Sequence, residues 1–173
     1  MPPDEDRARV RVQPILDADW DAIADLEHHA YNSHGLSEGR AALESRWRVS
    51  PDTCFTINIG DRLVGYTIAL PYPVFEHPEL SSGEETTFAS DNLHLHDLVI
   101  AEDLRGAGLA TILLRWLATT AQRWRHTRMS LVAVTDSEAF WSARGFRTCR
   151  GVPVSHEYGA NAVYMTRELR FGS

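Results

Sequence analysis

Residues 93–121, LHLHDLVIAEDLRGAGLATILLRWLATTA, decide the fold of this chain. The segment opens with alternating apolar and polar residues, passes through a polar corner and a glycine-rich turn, and ends in a long amphipathic run. Alternation over residues 94–100 predicts a β-strand, because successive side chains of a strand point to opposite faces. The predicted faces are His94, His96, Leu98 and Ile100 on one side, and Leu95, Asp97 and Val99 on the other.

A glycine-rich turn, Arg105-Gly106-Ala107-Gly108-Leu109-Ala110, follows the strand and leads into a predicted helix. The apolar residues of that helix recur at spacings of three and four, which indicates one buried stripe. They are Leu109, Ile112, Leu113, Trp116, Leu117, Ala121 and Trp124. Such a turn exposes backbone N–H groups and the positive end of the helix dipole, so the sequence predicts a phosphate-binding site here.

Two short patterns resemble the cofactor-binding segments of the GNAT acetyltransferase superfamily. Arg105-x-x-Gly108-x-Ala110 is similar to its pyrophosphate-binding signature. Phe140-Trp141-x-x-x-Gly145-Phe146 is similar to the aromatic-Gly-Phe ending of its second cofactor-binding segment. With the strand and helix that flank the turn, the resemblance spans residues 92–148. It implies the GNAT acyl-CoA N-acyltransferase fold, with acetyl-CoA as co-substrate.

The glycine-rich turn has two other interpretations. It can be a purely structural turn, since glycine supplies positive φ wherever a turn needs it. A dinucleotide-binding fold is not indicated, because Thr111 stands where the Gly-x-Gly-x-x-Gly pattern needs its third glycine. The turn also follows several predicted strands instead of opening a βαβ unit.

The remaining segments fall in an order that fits this α+β fold. The predicted elements are an edge strand at residues 9–12, a helix capped by Asp17, a helix from about Ser37 that Pro51 ends, a hairpin over residues 54–70, a strand at 129–134, a short helix at 137–144, and two closing strands from Phe146 and at 162–169. We expect one domain over residues 1–173, with a mixed central sheet of six or seven strands flanked by about four helices. Residues 1–8 are expected to be flexible, and residues 71–92 to form a long loop or a lid over the substrate side.

Composition narrows the classes of partner. The formal net charge is 17 − 24 = −7, which argues against general nucleic-acid binding and favours cationic small substrates. The two cysteines, Cys54 and Cys149, are far apart and indicate neither a disulfide framework nor a zinc site. The N-terminal residues lack the apolar core of a signal peptide, and no apolar run has the ~18 residues of a membrane span. The sequence therefore predicts a soluble, cytoplasmic domain that binds neither nucleic acid nor membrane.

His94 and His96 are the predicted catalytic bases. Acyl transfer to an amine requires the ammonium group to lose a proton, and histidine can accept a proton near neutral pH. The run His94-Leu95-His96-x-Leu98-x-Ile100 also resembles the arylalkylamine N-acetyltransferase branch, whose paired strand histidines are held to deprotonate the amine. The alternative is that one or both are hydrogen-bonded core histidines.

A metal site at the two histidines is not predicted. The spacing His-x-His on a strand is the cupin pattern, which needs a glutamate four or five positions after the second histidine. Ile100 and Ala101 occupy those positions. A helix also follows where the next barrel strand should be.

The resemblance implies roles for further residues. Backbone groups of Leu98, Val99 and Ile100 would hold the thioester, and a backbone N–H of that strand would stabilise the oxyanion. The pyrophosphate would be bound by the turn residues Arg105, Gly106, Ala107, Gly108, Leu109 and Ala110.

Trp141 stands where the superfamily commonly has a tyrosine that protonates the departing thiolate. An indole N–H is too weak an acid for this step. The general acid is therefore open among Tyr158, Cys149, Tyr164 and solvent, and Tyr158 is the one we assign to the site. Trp141 would pack on the pantetheine arm of the cofactor, or serve as a core aromatic residue.

Glu27 and Tyr31 lie four residues apart on the first predicted helix, which borders the acceptor pocket in this fold. Glu27 would bind the ammonium group of the substrate, unless the pair belongs to a solvated helix face.

The sequence thus predicts an N-acetyltransferase that moves acetyl from acetyl-CoA directly to a primary amine of a small molecule. An acyl-CoA-binding or sensing module and a protein lysine acetyltransferase are the alternatives. The acceptor amine, the acyl-chain preference and the oligomeric state, a homodimer included, stay open.

Overall fold

The predicted strands join into one mixed sheet in the computed structural model, which describes residues 9–170. The strands are β1 (Val10–Pro14), β2 (Cys54–Ile59), β3 (Arg62–Pro71), β4 (Asn92–Ile100), β5 (Arg128–Ala133), β6 (Arg147–Thr148) and β7 (Val163–Glu168). Their order in the sheet is β1-β2-β3-β4-β5-β7-β6. All neighbours are antiparallel except β4 and β5, which run parallel through a crossover. The seven strands confirm the predicted α+β class and the expected size of the mixed sheet.

Between residues 9 and 170, four α-helices cover the two faces of the sheet. They are α1 (Trp20–Tyr31), α2 (Arg40–Val49), α3 (Leu109–Arg123) and α4 (Glu138–Ser142). The apolar stripe of α3 packs on one face in a cluster that includes Leu113, Leu117 and Met129. On the other face, Trp20 and Ile23 of α1 and Leu43 of α2 form a second cluster with residues of β3. None of the helices between residues 9 and 170 has the length and apolar character needed to cross a lipid bilayer.

The predicted element order is confirmed, with differences at the starts of two helices. Asp17 does not cap α1, because Asp17–Asp19 form a short 3-10 turn and α1 begins at Trp20. Helix α2 begins at Arg40 and not near Ser37. The reason is that the Glu27 carboxylate binds the residues just before the helix, accepting hydrogen bonds from Ser37 and from the backbone N–H of Glu38. The prediction that residues 1–8 are flexible lies outside the described residues.

A β-bulge in β4 overturns the predicted assignment of its faces. Ile68 of β3 pairs with Asp97, but the next residue, Ala69, pairs with Leu95, so His96 is an extra residue on β4. An extra residue reverses the alternation beyond it. Leu98 and Ile100 therefore join Leu95 beneath α3, opposite the histidines.

The bulge also places Asp97 on the same side as His96. Asp97 contacts Tyr31 of α1, and His96 contacts Glu38 just before α2. The prediction that Asp97 faces away from the histidines was therefore wrong, because strict alternation does not survive a bulge.

Strands β4 and β5 separate soon after they meet. Their pairing runs only from Asn92 with Arg128 to His94 with Ser130. Beyond this point the backbone of β4 that faces β5 has no partner strand within the described chain. The two strands thus open into a cleft next to the turn that leads into α3.

The connection between β3 and β4, here called the strap (residues 72–91), contains no helix or strand as described. It is nevertheless attached to the body of the protein at several points. Tyr164 of β7 accepts a hydrogen bond from Phe75 N, Tyr158 donates one to Pro78 O, and Arg46 of α2 binds the strap backbone. If this segment moves as a lid, one of the two predictions made from the sequence, the movement has to break these hydrogen bonds.

Candidate active site

The cleft between β4 and β5 is a cavity of about 680 Å³. Its walls come from β4, β5, the turn before α3, α4, and residues near α1, α2 and the strap. Among the lining residues are Tyr31, Leu36, Glu38, Leu80, His96, Asp97, Leu98, Ile100, Arg105, Gly106, Gly108, Leu109, Ala110, Trp141, Arg144 and Tyr158. Most of the predicted site residues therefore meet at one cavity.

The end of the cavity at α3 has the features of an anion-binding site. Gly108 precedes the helix with φ of 84°, a left-handed conformation that favours glycine. No side chain of the described residues caps this helix, and its first turn contains no acidic residue. The N–H groups of Leu109, Ala110 and Thr111 have no acceptor within the helix, so they are available to a bound anion.

Side chains of α4 and of the residues just after it complete this end. Trp141 lines the cavity and packs edge-on against Phe140 and Phe146, with ring centroids 4.9 and 5.6 Å apart. The guanidinium of Arg144 lies 3.5 Å from the centroid of the Phe140 ring. Arg105 and Arg144 supply positive charge to the wall of the cavity at this end. Trp141 thus both lines the cavity and belongs to the core.

The opposite end of the cavity contains a buried histidine–glutamate pair. Nε2 of His96 lies 2.7 Å from Oε2 of Glu38, and the two side chains are only 1% and 4% exposed. The other ring nitrogen of His96, Nδ1, is buried and has no hydrogen-bond partner among residues 9–170. If Glu38 is ionised it can only accept, so His96 carries a proton on Nε2.

Several charges act on Glu38. Burial by itself would raise the pKa of this carboxyl, but His96 and the guanidinium of Arg46 together lower the pKa below its ordinary value. Arg46 binds Oε1, the oxygen that His96 does not use. Glu38 is therefore held as a carboxylate at neutral pH.

His94 is placed differently from His96. It lies next to β5, where Nδ1 is 2.8 Å from Ser130 Oγ, and its ring stacks on Tyr164 at a centroid distance of 6.3 Å. Burial lowers the pKa of His94 well below its ordinary value, and the positive charges of neighbouring groups lower it further. His94 is not part of the cavity wall as described. The two histidines thus share a face but not an environment.

Asp97 lines the cavity beside the histidine–glutamate pair. Its two carboxylate oxygens accept hydrogen bonds from the hydroxyls of Tyr31 and Tyr66, at 2.7 and 2.6 Å. Burial raises its pKa to about 6, although the tyrosine hydrogen bonds oppose the shift. Tyr31, which was predicted from the sequence to bind substrate, therefore lies at the cavity wall. Its hydroxyl donates its hydrogen bond to Asp97 and is not directed at the cavity.

Glu27 lies behind the cavity wall. It is 1% exposed, and it accepts hydrogen bonds from Ser37 Oγ, from Glu38 N at 2.8 Å and from Gly39 N at 3.4 Å. These bonds fix the segment that carries Glu38 into the site. Glu27, which was predicted to bind substrate, therefore does not line the cavity as described but holds the backbone of the segment before α2. Glu38 of that segment is the carboxylate that reaches the cavity.

Tyr158 lines the cavity and donates its hydroxyl proton to Pro78 O at 2.5 Å. Burial raises the pKa of the phenol, so it stays protonated at neutral pH. Its proton is shared with the strap and is not directed at another group of the cavity.

A model of the Acetyltransferase (GNAT) family matches residues 20–146 of the chain. The chain belongs to this family. Structures with the same fold as this GNAT domain include Ard1 from Thermoplasma volcanium, with a TM-score of 0.75 and 14% identity over 94% of this chain and 99% of that one. A GNAT-like decarboxylase, GphF, in complex with isobutyryl-CoA gives a TM-score of 0.79 and 19% identity over 92% of this chain and 100% of that one.

The ribosomal-protein-S18-alanine N-acetyltransferase from Escherichia coli gives a TM-score of 0.67 and 13% identity, over 95% of this chain and 96% of that one. No curated protein sequence matches the chain. At these identities the similar structures show the GNAT fold alone, so the acceptor has to be argued from the cavity.

Sequence reasoning missed Glu38 and Arg46 of this GNAT domain. Both are charged residues in a segment with many charged neighbours, and a charged residue is usually exposed. The only available signal was that Glu38 precedes a glycine at a helix start. That signal does not identify a partner on β4.

Asp97 should make the stability of the GNAT domain depend on pH. Its native pKa of about 6 lies above the ordinary value of 3.8, so the native state binds this proton more tightly than the unfolded state. The contribution of Asp97 to stability is therefore full below pH ~4 and is lost as the pH rises through ~6. A shift of this size corresponds to about 3 kcal/mol.

Asp97→Asn removes this titration. We expect the free energy of unfolding of the wild type, minus that of Asp97→Asn, to fall by about 2 kcal/mol as the pH rises from 4.5 to 7. Urea unfolding of both proteins at each pH measures the difference. A difference that is constant across this range would show that Asp97 is not buried with a raised pKa.

Proposed function

We propose that the protein is an N-acetyltransferase that transfers acetyl from acetyl-CoA directly to a primary amine of a small molecule. His96 accepts the proton of the substrate ammonium, directly or through one water molecule. The observation that carries this proposal is the buried His96–Glu38 pair at the wall of the cavity. Family membership supports acyl-CoA-dependent transfer, and the pair supplies the base that acylation of an amine needs.

The cavity fits an acyl-CoA. The N–H groups at the start of α3, with Arg105 to Ala110 around them, would hold the pyrophosphate, and Trp141 would pack on the pantetheine arm. The unpaired backbone of β4 next to Leu98 and Ile100 offers hydrogen bonds to extended amides, as the edge of a sheet does. When bound, acetyl-CoA supplies an activated acyl group. The isobutyryl-CoA in the similar GphF structure supports this choice of ligand class.

The pair of His96 and Glu38 suits proton abstraction from an ammonium group. The Nε2 proton is donated to the carboxylate, which leaves the Nδ1 lone pair free. A buried ring nitrogen without a partner is unfavourable by about 1–3 kcal/mol. An ammonium group at this end of the cavity would satisfy Nδ1 and lose its proton to it once the side chains that bury this nitrogen move aside. His94, with its lowered pKa and its bond to Ser130, is a poorer base, and we assign it to orienting this part of β4.

Direct transfer is supported by the state of the two cysteines. Burial raises the pKa of the Cys54 thiol to about 12, so it is not a nucleophile at neutral pH. Cys149 lies beside Thr166 on β7 and not in the cavity wall as described. Neither thiol is placed to take the acetyl group from acetyl-CoA. The amine itself is therefore the expected nucleophile.

We keep Tyr158 as the donor of a proton to the departing thiolate. It lines the cavity as a protonated phenol. Burial raises its pKa and so makes it a weaker acid, which means that donation requires its surroundings to change when the thiolate forms. It would have to exchange its bond to Pro78 for one to sulfur. Trp141 at the usual tyrosine position has no comparable proton to give.

The charge of the cavity supports a small amine without a carboxylate as acceptor. Glu38 and Asp97 line the acceptor end, beside the apolar side chains Leu36 and Leu80. Within the described residues, the arginines in the wall are Arg105 and Arg144, both at the cofactor end. A substrate carboxylate would therefore meet acidic groups and no cation. A protein or peptide acceptor is the alternative, since the similar structures include an S18-alanine N-acetyltransferase.

The first test is the release of free thiol from acetyl-CoA in the presence of paired acceptors. Each pair is an amine and the amino acid that differs from it by one carboxylate, such as tyramine with tyrosine or histamine with histidine. A lysine peptide and an alanine-terminated peptide complete the panel. We expect the amine of at least one pair to be used with a kcat/KM at least ~10-fold above that of its amino acid, since the extra carboxylate is repelled by Glu38 and Asp97.

Other outcomes have definite meanings. Turnover of peptides alone would replace the proposed acceptor class with a protein. Tight CoA binding without thiol release on any acceptor would support the alternative of an acyl-CoA-binding module.

The role of His96 is tested by His96→Gln, with His94→Gln as the neighbouring control. We expect His96→Gln to lower kcat by about 100-fold and to flatten the dependence of kcat on pH, because the proton acceptor is lost. The affinity for CoA, measured by calorimetry, should be unchanged because His96 lies at the acceptor end. His94→Gln should lower kcat less than His96→Gln does. Equal losses in the two variants, or an unchanged pH profile in His96→Gln, would assign the base elsewhere.

The cofactor site is tested by Gly108→Glu. The new side chain places bulk and negative charge at the start of α3, so we expect CoA affinity to fall at least ~100-fold by calorimetry. Gly151→Glu is the matched control, because Gly151 also has a positive φ, of 91°, and no atom within 4 Å of its added Cβ, but lies far along the chain from the turn. CoA affinity retained in a folded Gly108→Glu protein would rule out the turn as the pyrophosphate site.

A further inference from the structure

Arg46 on α2 is completely buried and binds one oxygen of Glu38 twice. Its Nε and Nη2 atoms donate to Oε1 of Glu38 at 3.0 and 2.7 Å. The second carboxylate oxygen, Oε2, is the one that meets Nε2 of His96 at 2.7 Å. Glu38 therefore bridges the guanidinium and the imidazole, with one oxygen for each.

The strap holds the rest of the guanidinium. Nη1 of Arg46 donates to Oε1 of Glu84 at 2.6 Å, and Nη2 donates to the backbone oxygens of Glu79 and Ser82 at 2.8 and 3.0 Å. A planar guanidinium with fixed partners on both sides cannot rotate away from Glu38. The direction of the Glu38 carboxylate is thus determined by a residue of α2 and by the strap together.

We infer that Arg46 is a positioning residue for acyl transfer: by binding Oε1 of Glu38 it keeps this group a carboxylate, which places the ring proton of His96 on Nε2 and leaves Nδ1 free to accept a proton. The inference rests on the proposed function, in which His96 is the base. Arg46 itself does not line the cavity as described and does not touch the substrate.

The reason lies in the two ways in which a buried carboxyl and a neutral imidazole can share protons. A carboxylate accepts from Nε2–H, and Nδ1 keeps its lone pair. A neutral carboxylic acid instead donates to Nε2, and the ring proton then lies on Nδ1, which cannot act as a base. Burial favours the neutral acid, whereas the guanidinium favours the carboxylate. Arg46 thereby selects the arrangement in which Nδ1 can accept a proton.

The ring tautomer can be measured directly. Spectra that correlate ring ¹⁵N and carbon-bound protons distinguish the two tautomers, and the His96 signals are identified by their absence in His96→Gln. For the wild-type protein near neutral pH we expect the Nε2–H form. An Nδ1–H form in the wild type would overturn the inference without any variant of Arg46.

Two substitutions then test Arg46. Arg46→Met removes the charge, so the His96 signals should change to the Nδ1–H form and kcat should fall about 100-fold, to the level of His96→Gln. The KM for acetyl-CoA should stay within about twofold of the wild type, since the cofactor end is not altered. Arg46→Lys keeps the charge with fewer bonds, and we expect it to restore the Nε2–H form and to bring kcat within about tenfold of the wild type.

Arg40→Lys is the matched control, because Arg40 lies on the same helix with its side chain 47% exposed and forms ion pairs only at the surface. It should leave both the tautomer and kcat unchanged. A folded Arg46→Met protein with the wild-type tautomer would refute the role of Arg46, even where His96→Gln behaves as expected. A tautomer change in Arg46→Met with no acceptor used by the wild-type protein would confirm the effect of Arg46 on the His96 ring, but it would refute the proposed acetyltransferase activity and with it a role in acyl transfer.

Discussion

The buried ion pair between Arg46 and Glu38 is the interaction on which the proposed acceptor side of this GNAT domain depends. Both side chains are withdrawn from water, at 0% and 4% exposure, so leaving either one without its partner would cost about 3–5 kcal/mol. This demand constrains two other parts of the chain at once, the segment before α2 and the strap. The segment before α2 has to reach the sheet, which the Glu27 carboxylate secures through the backbone of Glu38. The strap has to turn its carbonyl oxygens inward, where Arg46 uses two of them.

The bulge in β4 is the second feature that the cavity wall depends on, because it determines which side chains of β4 face the cavity. It turns His96 and Asp97, two successive residues, to the same side of the sheet, where a regular strand would separate them. His96 then meets Glu38, and Asp97 meets the hydroxyls of Tyr31 and Tyr66. The same strand leaves β5 after His94, which opens the cavity. One irregular strand thus creates the cleft and brings two titratable side chains to its wall.

Periodicity and turn chemistry were sufficient to predict the elements, because these are local properties of the sequence. The hairpin around Gly60, the amphipathic α3 and the glycine-rich turn before it were all confirmed as structure. Long-range features were not predictable in this way. The bulge depends on how β4 pairs with β3, and the ion pair joins residues 38, 46 and 84, whose spacing follows no repeat. Strict alternation therefore predicted the correct face of the sheet for His96. It was wrong for Leu98, which lies on the opposite face, beneath α3.

The two ends of the cavity carry opposite charge. This difference determines which proposed substrate, acetyl-CoA or the amine, binds at which end. Its cofactor end combines the open N-terminus of α3 with Arg105 and Arg144, which suits a polyanion. Its acceptor end carries the carboxyl groups of Glu38 and Asp97, which suits a cation. An amine that entered the cofactor end would meet like charge, and so would a phosphate at the acceptor end. Within this arrangement the side chains of both histidines are buried, but their partners differ. His94 meets Ser130, whereas His96 meets a carboxylate and has a second ring nitrogen without a partner among residues 9–170. The environment of each imidazole, more than its presence on the strand, decides which of them can serve as the base.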